Sequence, residues 1–94
     1  MPEAIRIGVI GDFEPGYHSH FATNAALYDA AARLKLPLEL RWLPTSSVEG
    51  SKAEEILPSW DGLIASPGSP YRSFAGMLRA IEFARSRNWP FAGT

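Results

Sequence analysis

Apolar and polar positions along this 94-residue chain change period several times. Ile5-Arg6-Ile7-Gly8-Val9-Ile10 is a β-rich apolar run, closed by Gly11-Asp12 and then Glu14-Pro15-Gly16. It predicts a strand followed by a turn. Residues 19–35 predict a helix. Leu27, Ala30, Ala31 and Leu34 recur at three- and four-residue steps and so share one face, Ser19 stands where an N-cap belongs, and Pro37 stops the run. Leu38, Leu40 and Trp42 alternate with Glu39 and Arg41, the pattern of a half-buried strand at or near a sheet edge. Thr45-Ser46-Ser47 reads as a polar loop, and residues 52–57 as a short helical turn closed by Pro58. Leu63-Ile64-Ala65 is a short uncharged strand suited to a sheet interior, and Ser66-Pro67-Gly68-Ser69-Pro70 is a rigid loop after it. Ser73 then predicts an N-cap, followed by a helix with the stripe Phe74, Met77, Leu78, Ile81 and Ala84. Arg85 and Arg87 suit the negative end of that helix, Asn88 suits the left-handed position after it, and Pro90 lies beyond. Phe91-Ala92-Gly93-Thr94 begins a last strand.

The order β-α-β-α-β-α-β predicts an α/β fold, an open parallel sheet with helices on both faces. Right-handed crossovers and a half-polar second strand favour the strand order 2-1-3-4. The direction reverses after the first strand, so a switch point falls between strands 1 and 3. Ligands of open α/β sheets bind beside such a point, outside the carboxyl ends of the strands. Two loops emerge there, residues 11–16 and residues 66–71. No internal repeat, linker or low-complexity segment divides residues 1–94.

Composition narrows the function classes. Nine Lys and Arg nearly cancel ten Asp and Glu, leaving a net charge of -1, so no basic stripe argues for nucleic acid. The apolar runs are far shorter than the ~20 residues a bilayer span needs, and no secretory signal pattern is visible. These features predict a cytoplasmic globular domain with no membrane or nucleic-acid partner. There is no cysteine, which excludes a disulfide, Cys-ligated zinc and a thiol nucleophile within these residues.

Several motifs are weighed and set aside. Gly8 and Gly11 are three apart and no helix opens directly after them, so they do not make a dinucleotide fingerprint. His18 and His20 are two apart, not four, with no carboxylate cluster nearby, so no metal is expected and a solvated loop is the better reading. Asp12 ends strand 1, as acidic residues do in phosphorelay receivers, but strand 3 ends in Ala65-Ser66 where those domains keep their phosphoacceptor. The serines after strand 3 lack the G-x-S-x-G elbow of esterases. Residues 66–69 form either a rigid turn or a set of backbone N–H donors aimed at an oxyanion.

Taken in order, Ile5 to Phe13 (IRIGVIGDF), Asn24-Ala25-Ala26-Leu27, Trp60 to Ile64 (WDGLI) and Ala75 to Thr94 (AGMLRAIEFARSRNWPFAGT) resemble the glutamine amidotransferase domain of CTP synthases. The resemblance covers the first half of that class I amidotransferase domain, which has a flavodoxin-like sheet. It implies hydrolysis of glutamine, or a related small amide, to glutamate and ammonia without a cofactor. In that family a cysteine attacks the side-chain amide, a histidine far downstream serves as base, and a Gly-rich loop after strand 3 helps form the oxyanion hole. Gly93-Thr94 would supply the first two positions of the G-x-C-x-G turn, placing the nucleophile directly after Thr94. Gly68 is then the candidate oxyanion donor, with Ser69 and Pro70 lining the pocket. The family loop is typically Pro-Gly-Gly-Phe-Gly. Pro67 and Gly68 match it, whereas Ser69, Pro70 and Tyr71 depart from it.

Three expectations follow. The complete protein carries a cysteine or selenocysteine next to Thr94, the latter if the next codon is UGA. These 94 residues alone are inactive. A sheet ending at the fourth strand presents an open apolar edge through which copies associate. The alternative class is a non-catalytic α/β module that binds a small molecule or a protein.

Overall fold

A computed structural model describes residues 4–13, 18–66 and 71–92, with the His18 side chain left out. Strand β1 (Ile5–Ile10) leads to helix α1 (His18–Arg33), then strand β2 (Leu38–Leu43). A 3-10 turn (Thr45–Val48), the short helix α2 (Lys52–Ile56) and a second 3-10 turn (Leu57–Ser59) precede strand β3 (Gly62–Ala65). Helix α3 (Phe74–Arg87) and strand β4 (Phe91–Ala92) complete the order. The strands form one sheet in the order β2-β1-β3-β4, all pairs parallel. This is the order that the alternating pattern and crossover handedness predict, with the half-polar strand on the edge. Gly93 and Thr94 of the expected last strand lie outside the described residues.

Alternation along the strands divides the two faces. Ile10, Leu43, Leu63 and Ala65 pack into one core with Val48, Ala53 and Leu57 and with Met77, Ala80 and Phe83 of α3. The neighbouring positions, Val9 and Trp42, face the other way, where the Trp42 Nε1 hydrogen donates to Asn24 Oδ1 of α1 at 2.6 Å. Helices thus lie on both faces, as expected.

The helix ends follow local chemistry. Ser73 caps α3, its hydroxyl accepting from the Gly76 amide at 3.0 Å. Asn88 takes the left-handed conformation (φ 53°) and the Trp89 amide reaches back to the Ala84 carbonyl at 2.8 Å, a Schellman closure. α1 closes the same way. The Leu36 amide donates to the Ala31 carbonyl and the Lys35 amide to the Ala32 carbonyl, with Lys35 left-handed at φ 57°.

Several expectations are corrected. α1 starts at His18, so Ser19 sits inside it and is no cap, and it ends at Arg33 through the Lys35 turn before Pro37 acts. Its expected face turns partly outward, with Ala30 exposed and Leu34 69% exposed. The reason is polar. His20 and Asn24 engage Trp42 and set the rotation of the helix. On α3, Met77 and Ala84 are buried as expected, but Phe74, Leu78 and Ile81 are exposed, and Gly76, Ala80 and Phe83 take the inner face instead. The expected polar loop at 45–47 is a 3-10 turn in which Thr45 and Val48 are fully buried. α2 ends at Ile56, and Pro58 lies within the following 3-10 turn.

Candidate functional site

β1 continues into Gly11-Asp12-Phe13 and β3 into Ser66, side by side at the switch point. The Gly11 amide donates to the Leu43 carbonyl and the Ser66 amide to the Ile10 carbonyl. Gly11 is required by close approach. A Cβ there would sit 2.1 Å from Ser66 Oγ and 2.6 Å from Ser66 Cβ. Gly68, Ser69 and Pro70, the candidate oxyanion and pocket residues, lie outside the described residues, as does Thr94. The two stems that flank residues 67–70 are described. The Tyr71 hydroxyl donates to the Ser66 carbonyl at 2.7 Å, closing the loop at its base.

Asp12 ties this base together. Its Oδ1 accepts from the Thr45 amide at 3.0 Å, and its Oδ2 accepts from the Thr45 hydroxyl and from the Arg72 amide, both at 2.8 Å. The Ser73 amide donates in turn to Thr45 Oγ1 at 2.8 Å, and the Ser73 hydroxyl to Glu49. One carboxylate thereby joins the end of β1, the turn after β2 and the segment leading into α3. Burial pushes the Asp12 pKa up, but the hydrogen bonds from Arg72 and Thr45 and the Arg72 charge outweigh it, so the group is held below its ordinary value. With both oxygens engaged, Asp12 is a structural anion at neutral pH. Gly76 lets α3 lie against the same turn, since a Cβ there would fall 1.7 Å from the Thr45 carbonyl oxygen.

Over the ends of β1 and β2 lies a cavity of about 210 Å³ lined by Gly11, Asp12, Phe13, Trp42, Pro44 and Arg72. Its aromatic wall is continuous with α1. Phe13 lies edge-on to Trp42 and to Phe21, with centroids 5.1 and 5.4 Å apart, and His20 packs on Trp42 at 4.7 Å. His20 is therefore not on a solvated loop. It is 3% exposed on the helix, among aromatic rings. Among the described residues no group of three or more His, Cys, Asp or Glu could hold a metal ion. No helix there is long and apolar enough to cross a membrane.

The topology thus brings together the described ends of the two loops that the strand order indicates, Gly11 to Phe13 with Ser66, Tyr71 and Arg72. The Asp12-Thr45-Ser73-Glu49 network is not visible in the sequence. Its members are separated by up to dozens of residues and follow no period, and its one local signal is an acid directly after Gly11.

Comparison with known proteins places this geometry. No protein-family model matches the chain. CTP synthase of Sulfurisphaera tokodaii is 36% identical over 90 residues, 95% of this chain and 17% of that protein. CTP synthase of Microcystis aeruginosa is 32% identical over 91 residues, 97% of this chain and 17% of that protein. The chain therefore spans 17% of the length of these curated relatives. Among solved structures, the glutaminase domain of Trypanosoma brucei CTP synthase with bound acivicin superposes with a TM-score of 0.78 at 22% identity, over 96% of this chain and 36% of that one. Over nearly its whole length, then, the chain is similar in sequence to a segment of CTP synthases, and it shares its fold with part of that glutaminase domain.

Proposed function

We propose that these residues are the N-terminal half of a glutamine amidotransferase domain of the CTP synthase kind. In its complete form the domain hydrolyses glutamine to glutamate and ammonia. The observation that carries this reading is the match to CTP synthases along 95% of the chain. The stems around residues 67–70, pinned by Tyr71 and Asp12, support it, because an oxyanion hole requires a donor loop on a fixed base.

In this reading the Gly68 amide donates to the oxyanion, with Ser69 and Pro70 lining the glutamine pocket. A cysteine thiolate or selenocysteine selenolate following Thr94 adds to the side-chain amide carbon. Ammonia leaves once a downstream histidine has protonated it, and water then cleaves the glutamyl ester of sulfur or selenium. The 94 residues hold neither nucleophile nor base and turn nothing over by themselves. Incubation of the purified chain with glutamine is expected to release no ammonia in a coupled glutamate dehydrogenase assay. Turnover by the purified chain would overturn the reading, as would a longer reading frame with neither nucleophile nor histidine.

A further inference from the structure

A second cavity, of about 540 Å³, lies along the outer edge of the sheet and shares Trp42 and Pro44 with the first. Its walls include Arg6, Arg41, Leu43, Glu55, Ile56 and Trp60. It exists because β2 is the edge strand and α2 is only five residues long, too short to roof that end of the sheet. The alternation that sends Leu43 into the core sends Arg41 to the same face. Arg6 is already held in place. Its Nε donates to Glu39 at 2.8 Å, its Nη1 to the Ser59 carbonyl at 2.8 Å, and its guanidinium lies 4.5 Å from the Trp60 ring centroid. The Arg41 side chain, by contrast, has no carboxylate or hydrogen-bond partner among the described residues. Arg41 is exposed at the rim; Leu43 and Trp60 form a buried floor, the Trp60 ring being covered by Arg6, and the exposed Pro44 and half-buried Ile56 are apolar side chains open to the cavity.

Apolar walls with a few placed polar groups are what small-molecule sites are made of. Arginine in such a place pairs with the planar or tetrahedral oxygens of carboxylate or phosphate. We propose that this cavity binds a small organic anion, an apolar body bearing one carboxylate or phosphate, with Arg41 on the oxyanion and Pro44 and Ile56 against the body. Glu55 also lines the cavity and disfavours the second charge of a phosphate relative to a singly charged carboxylate. The competing role for Arg41 is to guard the edge strand against pairing with another chain, which involves no ligand.

Titration of the 94-residue chain with 1-naphthoate, and in parallel with 1-naphthyl phosphate, separates these roles. Backbone amide and Trp60 indole shifts are followed by NMR. Saturable shifts centred on Arg41, Leu43, Ile56 and Trp60 are expected, with a dissociation constant of about 1 mM or tighter for the preferred probe. Arg41→Gln weakens binding about tenfold or more, Arg41→Lys recovers part of the loss, and Glu55→Gln tightens it about twofold. The better of the two probes identifies the oxyanion. The proposal falls if neither probe saturates, if the shifts spread over the exposed side chains Phe21, Phe74 and Leu78, or if Arg41→Gln binds as well as the parent. Neither glutamine nor a nucleophile enters this test, so its outcome is independent of the amidotransferase reading.

Discussion

The two faces of the sheet carry strands of similar apolarity but very different cover. On one face, α3 buries Gly76, Met77, Ala80, Phe83 and Ala84 against Ile10, Leu63 and Ala65, and Trp89 packs on Phe83. On the other, α1 buries only His20 among its described side chains, and a Trp42–Asn24 hydrogen bond anchors it. Helical periodicity alone does not commit a helix to a core. α3 meets a close-packed surface that rewards every methylene. α1 meets a surface where one hydrogen bond and a few ring contacts decide its rotation, and Phe21, Tyr28 and Leu34 stay outside.

Substitutions sharpen that contrast, the largest first. Phe83→Ala removes a fully buried ring and costs about 3–5 kcal/mol, enough to abolish the cooperative urea transition of so small a domain, whereas Tyr28→Ala on α1 costs about 0.5 kcal/mol or less. Equal losses at the two positions would erase the distinction between the faces. Gly76→Ala forces α3 away from the Thr45 turn and costs about 1–3 kcal/mol, read as a lower urea midpoint with unchanged slope.

Asp12 adds a pH signature to the α3 side. Its folded pKa lies below the ordinary 3.8, so its stabilisation is complete above the unfolded value and disappears as pH falls through the folded one. Melting temperatures from pH 7 down to 2 are therefore expected to fall more steeply for the parent chain than for Asp12→Asn. The variant is also about 1–2 kcal/mol less stable at pH 7, through weakened hydrogen bonds to Thr45 and Arg72. The smallest effect is a gain. Lys35 is left-handed, so Lys35→Gly relieves strain at the end of α1 by about 1 kcal/mol and raises the melting temperature by about 4–8 °C. A loss there would mean that the Lys35 side chain contributes more than its backbone costs.

Much of the architecture was legible because its signals are local. Glu39 and Arg41, alternating with Leu38, Leu40 and Trp42, mark an edge strand. Ser73 and Asn88 mark the ends of α3, and both occupy the conformations that their side chains favour. The faces of the helices were less legible. The Phe74-Leu78-Ile81 stripe has a helical period as good as the buried one, and only the position of the Thr45 turn against Gly76 turns it outward. The switch point followed from strand order, and with it the two loops of the site. Thr45 read as a loop residue because a buried threonine paired to a carboxylate 33 positions away leaves no periodic trace.

By itself, then, the sequence determined the element order, the parallel sheet, its edge and the resemblance to a segment of CTP synthases. Period, capping chemistry and the order of short motifs are all written in neighbouring residues. The tertiary structure alone decided which helix faces are buried, that Asp12 clamps three segments, and that Arg41 stands unpaired over a cavity. Each of these depends on polar and steric contacts between residues distant in the chain, and only the folded geometry selects among the many partners that such residues have.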